Sequence, residues 1–437
     1  MSRSDIEPGE VPDGADWQDA LQKGLGRALR WAKNGKGRDE TILLNACLTD
    51  LRYDKQCEDA RGSWLWQIME ASAVVDRFRE PILKSLQSVD YEVNAQQLCQ
   101  FCVFYAMNGD DRFRHRLQEI VAEKPLPDCP WLGEEELIEL DAEAGFLFVA
   151  RARGERLLNR EWDLDDMAMM DSAIEQLGES KAVELLAREA EASPEVRCFL
   201  ERWRTYAETT VREPRQAHAD RMRRITLSEI VRTAENAQKG AGHFRGWGMY
   251  ARQDDLKAVL DRLFNSHAPG VIINYLHVFS NRPLPQFDER LLGLLEHEDE
   301  RVRRRAYSTV AQNAHSSIRK FALDHLQTPA GEPKSLALLI RNFRPGDEDI
   351  LLANLRIPDD PVERHWFLMD LLEILEQNPA ARPGALALQS FRWTPCGTCR
   401  YRAAKLLIAR SVAPKWLTDE CQYDSVVDTR QLVKIGS

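Results

Sequence analysis

The chain has 437 residues, with 59 Lys and Arg against 70 Asp and Glu, a formal net charge of −11. Charged residues make up 30 % and hydrophobic residues 43 %, enough apolar material for an extensive core, which excludes a wholly disordered chain. The acidic balance excludes an unselective polyanion binder but leaves room for a local basic site.

Residues 1–14 carry Pro8, Gly9, Pro12 and Gly14 among acids and are expected to form a flexible acidic tail. The opening ten residues lack the apolar stretch of a secretory signal, and the longest apolar runs, such as Phe101–Met107 and Phe146–Ala150, fall far below the roughly 18 residues of a membrane span. A cytoplasmic protein without a membrane partner is therefore expected. The odd set of nine cysteines (47, 57, 99, 102, 129, 198, 396, 399 and 421) fits free thiols in a reducing compartment.

From Trp17 onward the periodicity is helical. Leu21, Leu25 and Leu29 recur every four residues, and Gly35 and Gly37 end that helical stretch. Ile82, Leu83 and Leu86, then Leu256, Val259, Leu260 and Leu263, then Val302, Ala306 and Val310 form apolar stripes on later helices. Alternating patterns are scarce, and 272–276 (Ile-Ile-Asn-Tyr-Leu) is the best strand candidate. Short breaks fall at 124–133, with Pro125, Pro127 and Pro130, at 283–285, and at 328–333. The expected organisation is a helical block over 15–124, an irregular helical block over 131–262, and a third helical block over 263–437 with capping helices at its end. So many short helices with essentially no β-sheet predict an all-α fold, and at this length a solenoid rather than a single bundle.

A short template recurs at helix starts: an apolar residue, Arg, two further residues, then a small or apolar one. It is present in Val302-Arg303-Arg304-Arg305-Ala306, Ile318-Arg319-Lys320-Phe321-Ala322, Val196-Arg197-Cys198-Phe199-Leu200 and Cys399-Arg400-Tyr401-Arg402-Ala403. Asp299, just before the first of these, is placed to cap the helix, and the template Arg is placed to bond a neighbouring turn. The stretch from Leu291 through Asp299, Val302 and Arg303 to Ala306 resembles a HEAT repeat, the helical hairpin of α-solenoids. Pro81 resembles the proline that bends the first helix of many such units. Tyr53–Arg61, Thr394–Arg400 and Glu420–Asp424 are similar to segments of a group of bacterial HEAT-like proteins. The resemblance implies an α-solenoid of HEAT-like hairpins; it brings no activity with it, because such arrays serve many functions.

Chemistry-bearing motifs are few. Cys396-Gly397-Thr398-Cys399 has the C-x-x-C spacing of redox thiols but lacks a βαβ context, and Cys399 fills the apolar slot of the template. Cys99-Gln100-Phe101-Cys102 is a second such pair, 294 residues away, too distant for an ordinary zinc ribbon. No nucleotide-binding glycine motif, metalloprotease motif or nucleophile elbow is present. Gly240, Gly242, Gly246 and Gly248 follow no strand and read as a loop. No catalytic residue, cofactor or metal ligand is assigned.

The strongest asymmetry is a basic island over 212–252, with nine Lys and Arg against four acids and with Phe244, Trp247 and Tyr250 in the same stretch. Arg221, Arg223, Arg224, Arg245, Trp247 and Arg252 are the expected partner-binding residues. The favoured expectation is a non-catalytic scaffold or adaptor that binds a protein along its helical surface. The alternative is nucleic-acid binding, with the arginines on phosphates and the rings stacked on bases.

Overall fold

The computed structural model describes residues 13–36, 39–90, 94–123, 131–159, 168–209, 215–236, 240–327 and 333–434. The acidic tail over 1–12, the prolines at 125–130 and the break at 328–332 lie outside the described residues. Among the described residues every regular element is helical and no strand is present, so the chain is all-α. No helix among them is long and apolar enough to cross a membrane.

In chain order the helices begin with α1 (Gly14–Lys23), α2 (Gly26–Lys33), α3 (Glu40–Leu48), α4 (Gly62–Ala71), α5 (Val75–Ser85) and α6 (Ala95–Met107). They continue with α7 (Asp111–Ala122), α8 (Glu134–Leu158), α9 (Ala168–Leu177), α10 (Glu179–Glu189) and α11 (Pro194–Thr209). Next come α12 (Arg215–Arg224), α13 (Leu227–Glu235), α14 (Ala241–Tyr250), α15 (Gln253–Phe264), α16 (Pro269–Val278) and α17 (Arg290–Gly293). Then follow α18 (Glu300–Val310), α19 (Ser316–Gln327), α20 (Asp347–Asn354), α21 (Pro361–Gln377), α22 (Gly384–Trp393) and α23 (Gly397–Ala409). The last two are α24 (Lys415–Cys421) and α25 (Val427–Lys434). The strand candidate at 272–276 is helical, within α16: a short apolar-rich segment suits a buried helix as well as a strand.

The chain forms two compact units. Unit 1 comprises residues 1–211, 396–398 and 414–437, and unit 2 comprises 212–395 and 399–413. The boundary at 211/212 falls inside the block expected over 131–262, and unit 1 is built from both ends of the sequence.

In unit 1, Trp17, Trp64, Phe101, Tyr105, Phe113 and Phe146 are fully enclosed in one continuous apolar core. Pro81 sits inside α5, and α8 carries a kink at Ala142, whose φ is 46°. The segments near the two ends meet through α2 and α24. A Cβ on Gly26 would lie 1.9 Å from the carbonyl oxygen of Glu420, so only glycine lets these backbones approach so closely. Trp64 donates its indole N–H to the carbonyl of Tyr423 at 2.9 Å, and the Ser425 N–H donates to the carbonyl of Gly24 at 3.0 Å.

The repeat template has a physical role that recurs along the chain. Asp299 caps α18 by accepting from the Arg301 N–H, while Val302 and Ala306 are buried. Arg303 turns back to donate to the carbonyls of His297 and Glu298, at 2.8 and 3.0 Å, closing the preceding turn. Arg197 does the same to Ala190 and Glu191, at 2.9 and 3.2 Å. The bond also appears where the template is not obvious: Arg364 donates to Pro358 and Asp359 at 2.9 and 2.6 Å, and Arg430 to Asp424 and Ser425 at 2.5 and 3.0 Å. Each arginine satisfies turn carbonyls that would otherwise compete for water. Arg319 departs from this pattern and donates through Nε to the buried carboxylate of Asp347 at 3.0 Å.

Unit 2 adds a second recurring device. The side-chain carbonyl of Asn313 accepts from the Leu284 N–H at 2.8 Å, and that of Asn342 accepts from the His315 N–H at 2.7 Å. Asn342 also donates to the carbonyl of Asn313 at 2.9 Å, and Asn378 donates to that of Ile340 at 3.0 Å. One side-chain amide per step thus ties each helix end to the segment before it. Isolated asparagines in loops carry no periodic signal, so the sequence did not reveal this ladder.

Candidate partner-binding surface

The basic island lies on α12, α13 and α14 and on the start of α15, all in unit 2. The sequence of α12, Arg-Gln-Ala-His-Ala-Asp-Arg-Met-Arg-Arg, turns Ala219 and Met222 inward and leaves Arg221, Arg223 and Arg224 exposed. Arg221 contacts the ring of His218 through its guanidinium at 3.0 Å. Arg223 pairs with Asp220 at 3.1 Å and lies over the ring of Tyr250, 5.6 Å from its centroid. Arg252 is exposed at the start of α15 and is bonded to Asp255 at 3.2 Å. Two of the expected cations are therefore engaged locally with acids. Arg212 and Lys239 lie outside the described residues.

Two aromatic expectations change. Trp247 was expected on the binding surface, but it is 2 % exposed, and its indole N–H donates to the carbonyl of Ile225 at 2.9 Å. Phe244 is fully buried. The cause lies in α14 itself: Gly246 and Gly248 remove bulk from the packed side of the helix and let the two rings sink into the core. A Cβ on Gly248 would lie 1.9 Å from the carbonyl oxygen of Val278. Of the three rings in the island, only Tyr250 remains partly accessible, beside Arg223. Arg245, also expected on the surface, is half-buried on the same helix.

An exposed aromatic occurs instead on α21. Trp366 is 60 % exposed, and Val362, one turn earlier on the same face, is 55 % exposed. The opposite face of α21, with Phe367, Leu368, Leu371 and Leu375, is buried and seats the helix on the core. Asp370, one turn beyond Trp366, has its carboxyl pushed up to about 7 by burial and then by the charge of Glu373. A tryptophan presented on a helix with its other face buried offers large apolar area with a polar N–H, the side-chain type most often found at the energetic centre of protein interfaces.

The cysteine motifs are internal. Cys99 and Cys102 are fully buried on α6, and burial pushes the Cys102 thiol up, away from the thiolate that redox or metal chemistry requires. Cys396 and Cys399 are also buried. Within unit 2, the Sγ of Cys399 lies 3.8 Å from the Nδ1 of His365. A soft cation would find its donor types here, an imidazole and a thiol, in a motif whose other cysteine stands three residues earlier in the chain.

Comparison of the chain with family models, with curated proteins and with solved structures gives no match.

Proposed function

We propose that this chain is a non-catalytic protein-binding scaffold, an α-solenoid of HEAT-like hairpins acting as an adaptor in a bacterial cytoplasm. The observation that carries this reading is the exposed pair of Trp366 and Val362 on one face of α21. An exposed tryptophan exacts a hydration cost that the fold itself does not recover, and covering it with a partner surface recovers it. The recurring bonds support the repeat component of the reading, because each arginine closes the turn before its own helix and each asparagine ties one step to the one before it.

The experiment compares partner capture by the wild-type protein and by Trp366→Ala, each from native lysate with and without nuclease, read by mass spectrometry. A stoichiometric partner that survives nuclease and is lost from Trp366→Ala supports the scaffold. Loss at the level of an interface hot spot corresponds to about 2 kcal/mol or more, a factor of roughly thirty in affinity. Equal recovery by the two proteins defeats the proposed surface.

Nucleic-acid binding is the second reading, favoured by the exposure of Arg221, Arg223, Arg224 and Arg252. Its stacking component is weakened by the burial of Phe244 and Trp247. A steep fall of log K with log[salt], lost on charge reversal of those arginines, would support it.

A further inference from the structure

We propose that Arg245 on α14, His277 on α16 and Arg305 on α18 form a binding site in unit 2 for a tetrahedral oxyanion, the phosphate group.

The three helices pack in sequence, α14 on α16 and α16 on α18. Two close contacts fix which faces meet. Gly248 of α14 lies directly against the carbonyl of Val278, and the hydroxyl of Thr309 on α18 donates to the carbonyl of Leu276 at 3.2 Å. Arg245 stands one turn before Gly248, and Arg305 one turn before Thr309. Residues three or four apart share a helix face, so both guanidinium groups stand on the faces turned toward the last turn of α16, which carries His277.

His277 is only 8 % exposed, and its Nδ1 is buried without a hydrogen-bond partner, as is the Nε of Arg245. Neither α14 nor α16 contains an acid. The charges felt by His277 come from Arg305 and Arg245, and those felt by Arg305 come from Arg245 and Arg304. Charge is thus concentrated with one sign, and enclosed donors have nothing to donate to. Buried polar groups are normally satisfied, and a cationic group of this kind is stabilised by an anion. Arginine forks match the paired oxygens of a phosphate, and two forks on separate helices suit a tetrahedral group better than a planar carboxylate. Burial and the two cations bring the imidazole down to about 4, so at neutral pH His277 is uncharged and contributes one N–H. The site is separate from Trp366, and loss of partner capture there leaves it untouched.

The test uses the full-length protein titrated with inorganic phosphate, with sodium chloride holding ionic strength constant. The readouts are Tm and the ring signals of His277 by NMR. The expected result is a saturable rise in Tm together with an upward shift of the His277 titration, because a bound anion favours the imidazolium. Arg245→Gln and Arg305→Gln each weaken phosphate binding at least tenfold, and Lys320→Gln, an exposed control on α19, leaves it unchanged. In a second arm, O-phosphoserine competes with inorganic phosphate if the group is carried on a larger molecule, and fails to compete if the free ion is the ligand; either supports the site. A Tm response no greater than that of chloride would overturn the proposal, as would saturable binding that persists in both arginine variants.

Discussion

Arg27 and Glu420 are separated by 393 residues and joined by three bonds. The Arg27 backbone N–H donates to the Glu420 carboxylate at 2.9 Å, and its Nε donates to the two carboxylate oxygens at 3.1 and 3.0 Å. The side chain of Glu420 is fully enclosed, so its charge depends on this one partner residue and the helix end that carries it. Breaking such a pair from one side leaves an uncompensated group in the interior. Glu420→Ala is therefore expected to destabilise unit 1 by about 2–4 kcal/mol, somewhat less than for a wholly buried pair because Arg27 reaches solvent. Gly26→Ala, which drives a methyl into the Glu420 carbonyl, is expected to act in the same direction. The check is urea unfolding followed by probes in each unit, since two units need not unfold together. An unchanged midpoint for unit 1 in both variants would show that the meeting of α2 and α24 contributes little.

Two carboxyls make stability depend on pH in an unusual direction. Burial, followed by the neighbouring acids Glu135 and Glu139, raises Glu136 to about 7, and burial with Glu373 raises Asp370 to about 7. A carboxyl raised in the folded state holds its proton more tightly there than in the unfolded chain. Its contribution is fully present below the unfolded value near 4 and is lost as pH rises through about 7. Stability should decline from pH 5 to pH 8 through these two groups. Glu136→Gln is expected to be nearly neutral at pH 5 and to stabilise by about 1–2 kcal/mol at pH 8. Urea midpoints at the two pH values check this, and an equal effect at both would exclude titration as the cause.

Thiol reactivity separates the cysteines. Cys57 is exposed, but the hydrogen bond to Asp54 and its negative charge push the thiol up. In a Cys129→Ser background at pH 7.5, a disulfide reagent should modify Cys57 slowly, at a rate that keeps climbing as pH rises past 9. Asp54→Asn should accelerate the reaction several-fold at pH 7.5, because thiolate is the reacting species. Cys47, Cys99, Cys102, Cys396, Cys399 and Cys421 are buried and should react only after unfolding. Rapid modification of Cys399 in the native protein would contradict its enclosure.

The parts of this fold that were legible in the sequence are those whose signal is local. Helical periodicity identified the all-α class, and the spacing around Asp299, Val302 and Arg303 anticipated the cap and the buried stripe. The arginine bond to the preceding turn spans five to seven residues and was legible for the same reason. Neither the helical state of α14, whose glycines read as a loop, nor its orientation was legible. Phe244, Trp247 and Arg245 share a short helix with Gly246 and Gly248, and the inward face is decided by how closely the glycines let Val278 approach. That contact is tertiary. The cationic group at Arg245, His277 and Arg305 was hidden likewise, since its members are distributed over three helices with no common spacing. Trp366 was not singled out in the sequence, because it stands beside Phe367 in one apolar run and only burial distinguishes the exposed ring from the enclosed one.

Because unit 1 is assembled from both ends of the chain, synthesis imposes an order on its folding. At about 5–20 residues per second, roughly 20–80 s elapse between the emergence of Arg27 and that of Glu420. Throughout that interval Gly26 and Trp64 lack the partners they have in the folded unit, the Glu420 backbone and the Tyr423 carbonyl. A chaperone that recognises this protein would be most needed before α24 leaves the ribosome, and least needed afterwards.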